Sequence, residues 1–140
     1  MRLITKVLHK DIELHSVPLE NIEITNNTIK ITYDDINEDR MELMFKTYQA
    51  FKITTIDCVS AQDYYNEFCY RDGIYHRHIL EIINSPWIKS LKNSLTDITA
   101  TFLDKAHHYF LLLGDSVLEI IAFDNYELKK LAQEYEIIDK

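Results

Sequence analysis

Histidines and carboxylates are the residues whose types and spacing in this chain could do chemistry. Four of the six histidines fall in two short runs, Tyr75-His76-Arg77-His78 and His107-His108. Imidazole changes charge near neutral pH, so it can serve as general acid, general base or metal ligand. On a strand, His76 and His78 would share a face and could grip a metal; on a helix they would point about 200° apart. Zinc would need further ligands, from Cys69, His107 or Asp104, and none of the usual zinc spacings occurs. Hydrogen-bonded structural or surface histidines are therefore expected, and no metal or other cofactor is assigned. Glu119 is unusual by position, because Leu118, Ile120 and Ile121 around it are apolar. In a structural role it would face water or pair with Lys105 or Arg77. In a functional role it would be a partly buried acid with a raised pKa. His76, His78, His107, His108 and Glu119 form the candidate functional cluster of a small-molecule or metal-binding pocket between sheet and helices.

Other reaction centres find no support. Asp35-x-Asn37-x-Asp39 matches the first ligand positions of a calcium loop, but Arg40 stands where the sharp turn needs glycine and Lys46 where the loop needs glutamate. There is no GxSxG elbow, P-loop or GxGxxG, and two glycines cannot build a phosphate cradle. Cys58 follows Asp57, Cys69 lies among aromatics, and no CxxC pair occurs, so two reduced, buried thiols are expected.

Composition narrows the partners. The net charge is −8, from 23 acids against 15 bases, and no segment forms a basic stripe. Backbone binding to nucleic acid depends on Lys and Arg displacing counterions, so a nucleic-acid partner is not expected. An acidic surface suits a basic protein instead. No apolar run approaches the ~20 residues of a membrane helix, and Lys6, His9 and Lys10 break any signal-like core, which points to a cytoplasmic protein. With 140 residues, the chain is expected to form a single domain over residues 1–140.

The elements that must position these groups read as follows. Asn21–Thr25 and Thr28–Tyr33 alternate polar and apolar around Asn26-Asn27, which predicts a hairpin with a left-handed two-residue turn. Its buried face would hold Ile22, Ile24, Ile29, Ile31 and Tyr33. Arg40–Lys46 and Ala50–Ile56 continue this as a meander, with Leu3–Leu8 and Asp11–His15 as weaker strands. Ser60-Ala61-Gln62-Asp63 resembles a capping box, so a helix carrying Tyr64, Tyr65, Phe68 and Cys69 is predicted, ending at Gly73. Residues 75–83 fit helix or strand. Ser85-Pro86 starts a helix with Ser as cap. Leu95–Ala106 reads as loop with irregular helix. Tyr109–Leu113 and Val117–Phe123 flank Gly114, where a tight reversal would use positive φ. A final helix is predicted over Tyr126–Tyr135, with Leu128, Leu131 and Ala132 inward. The predicted fold class is α+β: N-terminal antiparallel meander, central helices, late hairpin and C-terminal helix.

Residues 84–122 carry a resemblance. Asn84-Ser85-Pro86-Trp87-Ile88, His107-His108-Tyr109-Phe110 and Ser116-Val117-Leu118-Glu119-Ile120-Ile121-Ala122 resemble a pattern in small uncharacterised bacterial proteins, some of them similar to immunity proteins of toxin systems. The resemblance implies a protein partner of toxin-like kind and brings no catalytic residue. The leading expectation is a non-enzymatic interaction module that binds a basic partner. Its candidate surface is Asp34, Asp35, Glu38, Asp39, Tyr64, Tyr65 and Trp87, with aromatic positions favoured at interfaces. A His/Glu pocket enzyme is the alternative, and self-association would be signalled by an uncovered apolar sheet face.

Overall fold

The computed structural model describes residues 3–16 and 20–131. Period-two alternation sets the strands, β1 (Thr5–Leu8), β2 (Asn21–Ile24), β3 (Ile29–Asp34), β4 (Arg40–Phe45), β5 (Tyr48–Thr55), β6 (Tyr70–Arg71), β7 (Ile74–Tyr75), β8 (Ile79–Ile82), β9 (His107–Leu112), β10 (Ser116–Ala122) and β11 (Tyr126–Lys130). Among the described residues a single α-helix, α1 (Pro86–Asn93), stands between β8 and β9, and short 3₁₀ turns occur at Ile56–Cys58, Ala61–Tyr64, Glu67–Cys69 and Phe102–Lys105. The strands form a five-stranded sheet ordered β1-β8-β9-β10-β5, a four-stranded sheet ordered β11-β4-β3-β2, and the small β6-β7 pair. All pairings are antiparallel.

The two larger sheets face each other. Ile29, Ile31 and Tyr33 of β3 with Met41, Leu43 and Phe45 of β4 meet Tyr109 and Leu111 of β9 and Leu118, Ile120 and Ala122 of β10, and all are buried. This is a sandwich core, in which alternate residues of each strand point inward. The opposite face of the five-stranded sheet is apolar too: Val7, Leu80, Ile82, Phe110, Leu112 and Val117 lie under Cys69, Tyr64, Phe68 and Tyr75. β9 and β10 are therefore covered on both sides, which is why their residues read as near-continuous apolar runs.

The α+β prediction is overturned: 46% of the structure is strand and 17% helical, so the fold is mostly β. The predicted helix over Ser60–Gly73 is replaced by 3₁₀ turns, and the Ser60 side chain makes no cap bond. Of the aromatic residues there, Tyr64 stacks on Phe110 at 4.1 Å between ring centres. Gly73 ends no helix; Asp72 and Gly73, at φ 55 and 75, form the two-residue turn between β6 and β7. The predicted C-terminal helix is instead β11, paired with β4 from Tyr126↔Phe45 to Lys130↔Met41. Pairing satisfies the backbone of β4's open edge, and this outweighs local helix preference. The remainder of that predicted helix, residues 132–135, lies outside the described residues. Residues 79–82 resolve as strand β8.

Both hairpins are present with different turns. Thr25 and Thr28 close the first, through the Thr25 N–H to the Thr28 carbonyl and a hydroxyl contact between their side chains. Neither Asn26, Asn27 nor Gly114 is among the described residues of positive φ. Ile29, Ile31 and Tyr33 are buried as read, but Ile24 on the edge strand β2 is exposed. Cys69 is buried and Cys58 exposed, which corrects the expectation of two buried thiols. No helix among the described residues is long and apolar enough to cross a membrane.

Two substitutions test this architecture by urea unfolding. Gly73→Ala meets open space, so its cost is conformational alone, about 1 kcal/mol. Leu118→Ala, in the sandwich core, is expected to cost about 2–5 kcal/mol.

Candidate functional site

Alternation along β10 sends Val117, Glu119 and Ile121 to the outer face of the five-stranded sheet, and alternation along β9 sends His108 to that same face. The His108 Nε2 lies 2.8 Å from Glu119 Oε1, and its Nδ1 lies 2.7 Å from the Ser85 hydroxyl. Ser85, His108 and Glu119 are 9%, 3% and 3% exposed. One arrangement of hydrogens satisfies both bonds: Nε2–H donates to the carboxylate, and the Ser85 O–H donates to Nδ1. The Lys52 ammonium sits 3.6 Å from Glu119 Oε2 and 4.5 Å from the centre of the Trp87 ring. Trp87 in turn meets the His108 ring edge-on at 5.3 Å.

Local sequence places Ser85. It is the N-cap of α1, accepting the Ile88 N–H at 3.1 Å, and Pro86 occupies the first helical turn. The cap fixes the Ser85 side chain at the sheet surface, and the hydroxyl retains a lone pair beyond its bonds to Ile88 and His108. A cleft of 410 Å³ opens beside it, lined by Ile83, Asn84, Ser85, Ile88, Lys89, Leu103 and neighbouring side chains. The aligned hydroxyl, imidazole and carboxylate form a proton relay with both heavy-atom distances in the range that catalysis uses.

The predicted five-residue cluster is not one site. His107 points to the opposite face from His108 and bonds Glu81 Oε2 through Nδ1 at 2.6 Å. His76 and His78 come together elsewhere, around Glu13 and Arg71. His76 Nδ1 lies 2.8 Å from Glu13 Oε1, and Arg71 bridges Glu13 at 3.2 Å and His78 Nε2 at 3.3 Å. His78 Nδ1–H donates to the Ile12 carbonyl at 2.7 Å. No group of three or more His, Cys, Asp or Glu with metal-holding geometry occurs among the described residues. Glu119 pairs with neither Lys105 nor Arg77; Arg77 donates to the Leu113 carbonyl.

The predicted interaction surface is largely used within the fold. Asp34 pairs with Arg40 at 3.0 Å and Asp39 with Lys130 at 3.2 Å. Asp35 is buried, its Oδ1 accepting the Asn37 and Asp39 N–H groups, so the calcium-like loop spends its first carboxylate on its own backbone. Glu38 is exposed at φ 64. Tyr64 and Trp87 pack onto Phe110 and His108, and burial raises the Tyr64 pKa. Tyr65 lies 6.1 and 6.2 Å from the rings of Tyr70 and Tyr75.

Ser85 is the functional candidate that sequence reasoning missed. Its cap role was legible, but the bond to His108 spans 23 residues and depends on how the sheet seats α1. No family model, curated protein or solved structure matches this chain.

Glu119→Ala should leave the buried His108 Nε2–H without an acceptor and cost about 1–3 kcal/mol, whereas Lys52→Ala at the half-exposed partner should cost less than about 1 kcal/mol; urea midpoints check both. Burial lowers the pKa of His78 below its ordinary 6.5. The unfolded chain then binds the proton more tightly, so the His78 contribution is complete above that pH and is lost as pH falls. Unfolding midpoints between pH 8 and 5 should drop less steeply in His78→Gln, with Glu13, Arg71 and His76 unchanged around it.

Proposed function

We propose that this chain is a cytoplasmic protein-interaction module, immunity-like in kind, that binds a basic, toxin-like protein. The observation that carries this reading is the surface built by residues 56–75. There Asp57, Asp63, Glu67 and Asp72 are exposed, and Arg71, the one base of the segment, is bound to Glu13. At its end the β6–β7 hairpin holds Tyr70 and Ile74 in water, 51% and 61% exposed. The left-handed Asp72-Gly73 turn makes this protrusion stiff, so little entropy is lost when it docks. An aromatic and an aliphatic anchor on a segment with four exposed carboxylates suits a basic partner with an apolar socket.

This surface replaces the Asp34–Asp39 loop in the reading, because Asp34 and Asp39 are paired and Asp35 is buried. The tyrosines contribute differently as well: Tyr65 and Tyr75 support Tyr70 from beneath.

Calorimetry against the proteins encoded by the genes on either side is the test. Binding is expected with one basic neighbour at micromolar concentration. The triple variant Asp57→Lys, Asp63→Lys, Glu67→Lys, which leaves the left-handed Asp72 in place, should weaken it at least tenfold, about 1.4 kcal/mol, with an unchanged melting temperature. No heat from either neighbour, or equal affinity of the triple variant, would sink the proposal.

A further inference from the structure

We propose that Ser85 is the nucleophile of an acyl-transfer site, with His108 as its general base and Glu119 as the positioning carboxylate, acting on small activated esters that enter the cleft beside α1. This activity is independent of the partner-binding surface, which lies on the 56–75 segment.

Four features of the site converge on it. The hydroxyl, imidazole and carboxylate are linked at 2.7 and 2.8 Å. All three are at least nine-tenths buried, so the relay is shielded from competing water. The imidazole tautomer that serves Glu119 leaves Nδ1 free to take the Ser85 proton; the roles of the two ring nitrogens are set by which residue each one meets. Ser85 also lines the 410 Å³ cleft, a volume suited to a small ligand. The cap bond from Ile88 is compatible with attack, since a serine hydroxyl has one proton and two lone pairs. The proton goes to His108, one lone pair meets Ile88, and the other faces an incoming carbonyl.

The chemistry balances with water as the second substrate. Ser85 Oγ forms a bond to the acyl carbon while its proton passes to His108 Nδ1. The ester C–O bond then breaks, and His108 returns the proton to the departing alkoxide. Water attacks the acyl-serine, gives a proton to His108, and releases the acid as Ser85 recovers it. The developing oxyanion lies at the start of α1, where first-turn amides have no intrahelical acceptor and the helix dipole favours negative charge. Lys89 and Asn84, also in the lining, bring a cation and an amide to the same cleft. Lys52 supports the charge of Glu119 from the far side and never meets the acyl group.

The full chain is incubated with a fluorophosphonate probe and, separately, with p-nitrophenyl acetate. Intact mass and peptide mapping locate the adduct. One phosphonyl group on Ser85 is expected, with a labelling rate that rises along a single histidine titration between about pH 5 and 8. Ser85→Ala should abolish the adduct, with the loss of the helix cap and of the partner of His108 Nδ1; circular dichroism checks that it folds. His108→Gln should slow labelling at least about 100-fold, the usual scale for a general base, and Glu119→Gln should shift the midpoint of the pH profile. If His108→Gln does not fold, the wild-type pH profile alone decides. An unlabelled Ser85 at millimolar probe over pH 6–9 would falsify the proposal. Labelling no faster than that of other serines, or a rate with no histidine midpoint, would overturn it equally and leave the relay a structural clamp.

Discussion

A carboxylate in the middle of a sheet covered on both faces must be compensated, and Glu119 imposes that constraint on this fold. Its strand β10 lies between β9 and β5, and both supply partners: His108 from one side, Lys52 from the other. The compensation extends outward, since His108 needs an occupant for its second nitrogen and finds Ser85 at the start of α1. One buried charge thus ties three strands and a helix into a fixed relation. Burying charge is costly unless each group is paired and hydrogen-bonded, and here each one is.

The second requirement is a cover for the outer face. A sheet with Phe110, Leu112, Val117, Leu80 and Ile82 on that side cannot face water, and the fold meets this with the irregular segment 56–75 rather than a helix. Short 3₁₀ turns let Tyr64, Phe68 and Tyr75 all pack against that face. A helix would have directed one narrow stripe at the sheet. The cover carries its own polar network at one margin, where Glu13, Arg71, His76 and His78 close the space beside Phe68, with Arg71 4.7 Å from that ring. What the cover presents to solvent is then set by what it cannot bury: four carboxylates and the Tyr70–Ile74 hairpin. The same segment thus serves stability on its inner side, and on its outer side it carries the surface of the proposed function.

Much of the sandwich was legible in the sequence. The alternation of Thr28–Tyr33 and Arg40–Lys46, the apolar runs around Gly114 and the Ser85-Pro86 helix start all correspond to real elements. The misreadings share a cause. Ser60–Asp63 resembled a capping box, and Tyr126–Tyr135 had helical spacing, yet both segments were claimed by non-local demands: an apolar face to cover and a strand edge to pair. The Asp72-Gly73 turn was readable from its dipeptide, but it was absorbed as the end of a helix that does not form. Of the functional candidates, His108 and Glu119 stood out because each is polar within an apolar strand, and the structure does bring them together. His107 was set beside His108 by sequence adjacency, and β alternation separates them.

By itself, then, the sequence determined the periodicity: which residues alternate, where two hairpins and one helix begin, and that a histidine and a glutamate sit within apolar strands. Local sterics and side-chain spacing are sufficient for that. Only the tertiary structure decided that the fold is mostly β, that Ser85 meets His108, and that residues 56–75 cover the outer sheet face. Those outcomes depend on contacts between residues far apart in the chain. Their energies come from burying a second sheet face and neutralising one interior charge, neither of which any local window contains.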